Sequence, residues 1–346
     1  MSEAQRLSGG VRFLLVAASF IVVVAGLRAA SALLLPFLVS VFLALISLPL
    51  LYWLKRVKIP NGLAVLLTML TVIAMLAGIG VLVGGSLNRF TDAAPHYQAR
   101  LDQMSQGARA WLAGRGVDLS ALVSSEQISP RAVMDLARNI LKGVALVLSQ
   151  TVTVLLTMTF ILLEAAGFPA KMKAAFGGRE GGLERFAKVR GEVQRYLVIK
   201  TLVSLATGLL IGAWLSVLGV DFPLLWGLLA FLLNYIPTLG SIIASVPAIL
   251  LTLVQLGPGR AALAGLGYLA VNIVLGSLLE PHFMGRRLGL STLVVFLSLV
   301  FWGWVWGPVG MLLSVPLTTI VKIMLENSED FRWLGALLDS TPRAKV

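Results

Sequence analysis

The sequence contains no cysteine, which excludes disulfides, thiol catalysis and thiolate metal sites. Its two histidines, His96 and His282, stand far apart and outside any HExxH-type spacing, so no metal centre is expected. No GxxxxGK[ST] phosphate loop occurs, which argues against nucleotide-driven pumping by this chain alone. Nor is there a serine, acid and histidine constellation, and enzymatic readings fall with it. Charge is scarce, at 13% of 346 residues. The net charge of +12 would suit nucleic acid, but no aromatic or recognition element accompanies it. Basic cytoplasmic loops facing anionic lipid explain it better. The usual small-residue cleavage site does not close the first apolar run, so that run is expected to be a retained span.

Apolar surface is what the chain has in abundance. Hydrophobic residues make up 58% of it and the mean hydropathy is +0.92, well outside the soluble globular norm. The stretch from Glu280 to Leu325 organises the rest. It opens as EPHFMGRRLGLST, runs apolar through VVFLSLVFWGWVWG, breaks at Pro308-Val309-Gly310 and resumes as MLLSVPLTTIVKI. As one straight helix the part from Leu290 would be about 50 Å long, against a hydrocarbon core of about 30 Å. It must bend, and Gly307-Pro308-Val309-Gly310 is where the backbone is least able to stay helical. An all-round apolar helix of a soluble core is the competing reading, and the recurrence of the pattern along most of the chain counts against it.

The expected layout is an all-α polytopic membrane protein of about eight membrane segments. Residues 1–87 hold helices 1–3: Phe13 to Leu27, Ser31 to Leu54 with Pro36 and Pro49 inside it, and Gly62 to Leu87. The basic turn Lys55, Arg56 and Lys58 is cytoplasmic by the positive-inside rule, and places the N-terminus inside as well. Residues 88–142 read as an extracytoplasmic helical cap running into helix 4 at 143–168. Residues 169–196 carry the densest basic charge and read as a cytoplasmic amphipathic helix at the headgroup plane. The transport core spans 197–325, and 326–346 form a cytoplasmic tail. Gly80 and Gly84, and Ser204, Gly208 and Gly212, make small-residue faces for close packing. With the cap, they suggest a homo-oligomer of undetermined number.

Within the core, 222–256 is broken at Ile236-Pro237-Thr238-Leu239-Gly240 and 290–325 at Pro308-Val309-Gly310. Each break is followed by a Ser-Val-Pro, Ser245 to Pro247 and Ser314 to Pro316, the weak internal symmetry of an inverted-repeat transporter. If both segments crossed once, Arg286 and Arg287 would face outward. Two re-entrant hairpins, the first from outside and the second from inside, put them in the cytoplasm as topology and lipid anchors. The backbone ends freed at such breaks can hold a small polar solute or an ion. The candidate site is therefore Asn234, Pro237, Thr238, Gly240, Asn272, Glu280, Pro308 and Gly310, with the two tips expected to meet near the membrane centre. Glu280 and Glu164 are charges near span ends, where function and simple headgroup exposure compete. Trp302, Trp304 and Trp306 read as an interfacial or packing cluster.

Three stretches carry a resemblance: Asn234 to Gly240, Glu280 to Ser291, and Phe301 to Met311 with Ser314-Val315-Pro316-Leu317 after it. They resemble the AI-2E family of bacterial membrane proteins, also called the autoinducer-2 exporter family. The resemblance implies an inner-membrane secondary transporter exporting a small polar solute such as an autoinducer-2-like quorum-sensing signal. It also implies Na+ or H+ as a coupling ion, since some members are linked to cation/proton antiport. No cofactor is implied. A monovalent cation/proton antiporter, a passive channel and a membrane scaffold remain the alternatives. Two departures bear on selectivity. Thr238 stands where the family often has an aromatic residue, and His282 where a basic residue is common.

Overall fold

Residues 9–113, 150–175, 180–237, 239–284, 290–326 and 332–338 are described by the computed structural model. All regular elements among these residues are helices. The first is α1 (Gly9–Ala29), followed after one residue by α2 (Ser31–Arg56), which contains Pro36 and Pro49 without breaking. The Ser40 hydroxyl lies 2.6 Å from the Pro36 carbonyl and 3.0 Å from that of Val154 in α4 (Thr151–Ala175), so a buried polar group glues two apolar helices. α3 (Asn61–Ala113) continues through Pro95 as a single 53-residue helix. At about 80 Å it must project well beyond an apolar slab of about 30 Å.

The basic segment and the following span likewise form one helix, α5 (Glu180–Leu218). The chain then makes a short helix, α6 (Pro223–Leu233), and a longer one, α7 (Leu239–Leu256). The eleven residues of α6 reach about 16 Å, half an apolar core. The base of this pair is pinned, because the Asp221 N–H donates to Gln255 at 2.9 Å and the Gln255 amide to the Gly219 carbonyl at 3.2 Å. It is a helical hairpin. α8 (Pro258–Val271) leads without interruption into a π-helix (Asn272–Leu279) and α9 (Glu280–Met284).

α10 (Thr292–Glu326) is two half-helices hinged at Gly307, whose φ of 65° and ψ of −147° are not helical. A side chain would be strained at that φ, so glycine is the residue that permits the reversal. The halves fold back on one another. The Trp302 indole donates to Thr318 Oγ1 at 3.0 Å across 16 residues, which a straight helix would hold about 24 Å apart. The short α11 (Arg332–Leu337) closes its base, where the Ser291 N–H donates to the Leu338 carbonyl at 3.2 Å.

The hairpins point in opposite directions along α5. The base of the first lies at the C-terminal end of α5, where Arg260 donates to the Leu218 carbonyl at 3.4 Å. Its tip reaches Thr201 and Ser204. The second packs Leu290, Val295 and Val315 with Val193, Tyr196 and Leu197 near the other end of the apolar part of α5. Its tip lies against the end of α1, where Trp306 donates to the Leu27 carbonyl at 3.0 Å.

Among the described residues six helical stretches are long and apolar enough to cross a membrane, and three shorter apolar helices accompany them. Side chains such as Leu33 and Val217 remain 77% and 80% exposed. Bare aliphatic surface of this extent on long helices is surface for lipid. The fold is that of an all-α polytopic membrane protein.

Candidate functional site

Lys200 is the residue that the sequence reading passed over. It stands at the start of the apolar part of α5 and is 4% exposed. Its ammonium donates to both oxygens of Glu280, at 2.7 and 2.9 Å, with the Glu280 side chain 15% exposed. Both ions sit in an apolar environment, where such a pair persists only if each satisfies the other. The π-helix explains how Glu280 comes to face α5. Its wider turns re-phase the helix before Glu280, whose N–H bonds the Leu275 carbonyl five residues back. Irregularities of this kind often mark functional positions.

Directly above, α5 carries further polar groups at helical spacing. Thr201 Oγ1 accepts from the Tyr235 hydroxyl at 2.7 Å and donates to the Leu197 carbonyl at 2.6 Å. One turn beyond Lys200, Ser204 Oγ accepts from Asn234 Nδ2 at 2.9 Å, and both residues are buried. The Tyr235 ring packs edge-on against Phe42, in the middle of α2, at 5.6 Å. These polar residues therefore lie deep between helices. Asn272, opening the π-helix, accepts from Ser241 at 2.9 Å, just past the same tip.

Asn234, Asn272 and Glu280 thus gather round the first hairpin, each held by a partner on a neighbouring element. Pro237 and Gly240 form the tip itself. A Cβ on Gly240 would collide with the Leu233 carbonyl, so the close reversal depends on its absence. Pro308 and Gly310 form the second tip, and Gly310 sits against the Trp302 carbonyl in the same manner. That tip packs elsewhere than expected. Its contacts are with α1 and α2, through Trp302, Trp306, Val24, Leu34 and Leu38, and Arg28 lies 5.0 Å over the Trp304 ring. Trp302 and Trp306, with ring centroids 5.0 Å apart, are packing residues. Thr238, Arg286 and Arg287 lie outside the described residues.

The small-residue face of α5 also has an occupant within the chain. A Cβ on Gly208 would lie 2.7 Å from the Gly227 carbonyl of α6, so Gly208 and Gly212 are used to seat the first hairpin. Gly80 and Gly84 have nothing within 4 Å. An open groove of about 770 Å³ runs beside the ion pair, lined by Val198, Ile199, Leu202, Leu275, Leu279 and Phe283 among others. At the base of the hairpin, beyond the span of α3, the Tyr97 hydroxyl donates to Asp221 at 2.6 Å. Burial, then that bond and the charge of Asp221, hold the phenol above its ordinary pKa.

Among the described residues no group of three His, Asp or Glu side chains could hold a metal ion. Hairpins with a polar, charge-neutral interior inside a lipid-facing helical shell define a membrane transport protein. The chain belongs to the AI-2E transporter family: residues 17–330 match the family described as AI-2E family transporter. It is 40% identical over 329 residues to the AI-2 transport protein TqsA of Escherichia coli K12, covering 95% of this chain and 96% of that protein. It is 35% identical to another protein of that strain, named "Putative transport protein YhhT", over 95% and 94% of the two chains. A transport protein of Haemophilus influenzae, also named as putative, is 35% identical over 94% and 96%. The family is one of transporters, not enzymes.

Proposed function

We propose that the chain is a secondary transporter of a small polar solute, held where the first hairpin tip meets α5 and the π-helix. The observation that carries this reading is the cluster of Asn234–Ser204, Asn272–Ser241 and Glu280–Lys200 pairs around one broken helix. Half-helix ends and buried directional donors are what a carrier needs at mid-membrane. The printed function of TqsA makes autoinducer-2 the first solute to test, with Na+ or H+ as coupling ion. Movement of the first hairpin against α5 would supply alternating access. Counterflow of autoinducer-2 into liposomes, with sodium and proton flux recorded together, tests it. Asn234→Ala, which orphans Ser204, is expected to slow counterflow by about tenfold, and Glu280→Gln by at least as much. Rapid downhill passage without counterflow would indicate a channel, and no flux of any of these solutes would remove the transport assignment for them.

The finer topology belongs to the same proposal: eight segments in an inner membrane, an inverted pair of re-entrant hairpins, an external 88–142 cap, and both termini cytoplasmic. Single cysteines at Gln103, Gly181, Gly259 and Gly285 should label from outside, inside, outside and inside. External labelling at 285 would restore single crossings. A homo-oligomer, with the open Gly80/Gly84 face as its contact, is proposed too. Only monomer masses from nanodiscs would count against it.

A further inference from the structure

We propose that Lys200 and Glu280 form an exchangeable ion pair, in which a proton on Glu280 frees Lys200 to bind an anionic group of the solute. The inference rests on the transport reading above and narrows its substrate to a small anion moved with a proton.

The argument begins with charge. In an apolar interior the site must stay neutral, because removing the partner of a buried ion costs several kcal/mol. The resting pair satisfies this as +1 and −1. A solute can take the place of either member only if a proton compensates. The two members are not equally placed to exchange one. The Lys200 side chain is 5% exposed and that of Glu280 15%. Glu280 also begins the short helix whose next residues, Pro281, His282 and Phe283, are exposed, while Lys200 is walled in by α5 and the hairpin. The carboxylate is therefore the member that meets water.

Once Glu280 takes up a proton, its O–H leaves the ammonium without a counter-charge. The N–H groups that bonded the two Glu280 oxygens are then available to a carboxylate or similarly small anion. The new state holds Lys200 at +1, Glu280 at 0 and the anion at −1, so the sum remains zero. One proton therefore accompanies each monovalent anion, and release on the other side reverses both steps. No redox partner or covalent change is involved.

The surroundings fit. On α5, Tyr196 feels the Glu280 charge and Arg195 borders the adjoining groove. The hairpin tip contributes Tyr235, bonded to Thr201. On α9 itself His282 is exposed. On α10, Lys322 and Glu326 lie 3.7 Å apart as a pair of their own. Among these groups Glu280 is the carboxylate that faces Lys200.

The test uses the absence of cysteine. Ile199→Cys places one thiol in the groove beside Lys200, in full-length protein in liposomes. Its alkylation by N-ethylmaleimide is divided by that of the same cysteine in a Lys200→Met/Glu280→Gln chain, which cancels the titration of the thiol. Acetate at about pH 5.5 should raise this ratio by about tenfold over its isostere acetamide, and by little at about pH 8. An equal ratio for acetate and acetamide at both pH values overturns the inference, as does a rise driven by sodium with no effect of acetate. Solute flux is scored separately. Flux without the acetate-dependent ratio leaves transport standing and removes the exchange site. The ratio without flux supports the site and removes the transport reading.

Discussion

Lys200→Met is expected to destabilise the protein by about 3–5 kcal/mol, and Lys200→Met/Glu280→Gln by far less. The single variant leaves the Glu280 carboxylate, 15% exposed, with no opposite charge within bonding distance among the described residues. The double variant removes both charges while nearly conserving shape, and neutral replacement of a buried pair is commonly tolerated. An unpaired carboxylate in apolar surroundings escapes its penalty by taking a proton, so the deficit of Lys200→Met should shrink in acid and grow as pH rises. Thermal unfolding of purified protein in detergent reads all of this. Equal stability of the single and double variants at neutral pH would show that the pair is not energetically coupled.

The second large effect is expected at the hairpin tips. Gly240→Val and Gly310→Val each drive a side chain into a carbonyl of the preceding half-helix, Leu233 and Trp302 respectively. Backbone cannot step aside as a flexible side chain can. The cost should reach or exceed the upper end of the usual overpacking range, about 1–3 kcal/mol. Gly80→Val is the matched control, because nothing lies within 4 Å of it. Loss of a monodisperse elution profile and a lowered Tm in both tip variants, with Gly80→Val unchanged, is the expected pattern. Wild-type behaviour of Gly240→Val would mean that the tip is open enough to need no glycine.

The breaks themselves could be read from sequence because their cause is local. Proline and glycine terminate a helix wherever they stand, so Pro237 and Gly307 marked both reversals, and Asn234 stood out as an amide in an apolar run. Lys200 was missed for a reason equally physical. It follows a run of basic residues ending at Arg195, and a lysine there resembles the last headgroup anchor before a span. Only the partner 80 residues away shows that it lies inside. The same holds for Ser204, which looked like one more small residue on a packing face until Asn234 was found bonded to it. The π-helix left no mark in composition, since Asn272–Leu279 is as apolar as its neighbours. The packing of the second tip on α1 is a long-range contact that periodicity does not encode.

The ion pair also constrains how the protein is made. Lys200 is synthesised 80 residues before Glu280. At about 5–20 residues per second, α5 leaves the ribosome several seconds ahead of the carboxylate that will neutralise it. During that interval its ammonium has to reach up to the headgroups on its long aliphatic stem. The first helical hairpin, whose Asn234 needs Ser204, is made in the same interval. The nascent helix must therefore settle in two stages, held shallow at first and drawn to final depth when residue 280 arrives. The order of translation thus becomes the order in which the bilayer accepts the chain.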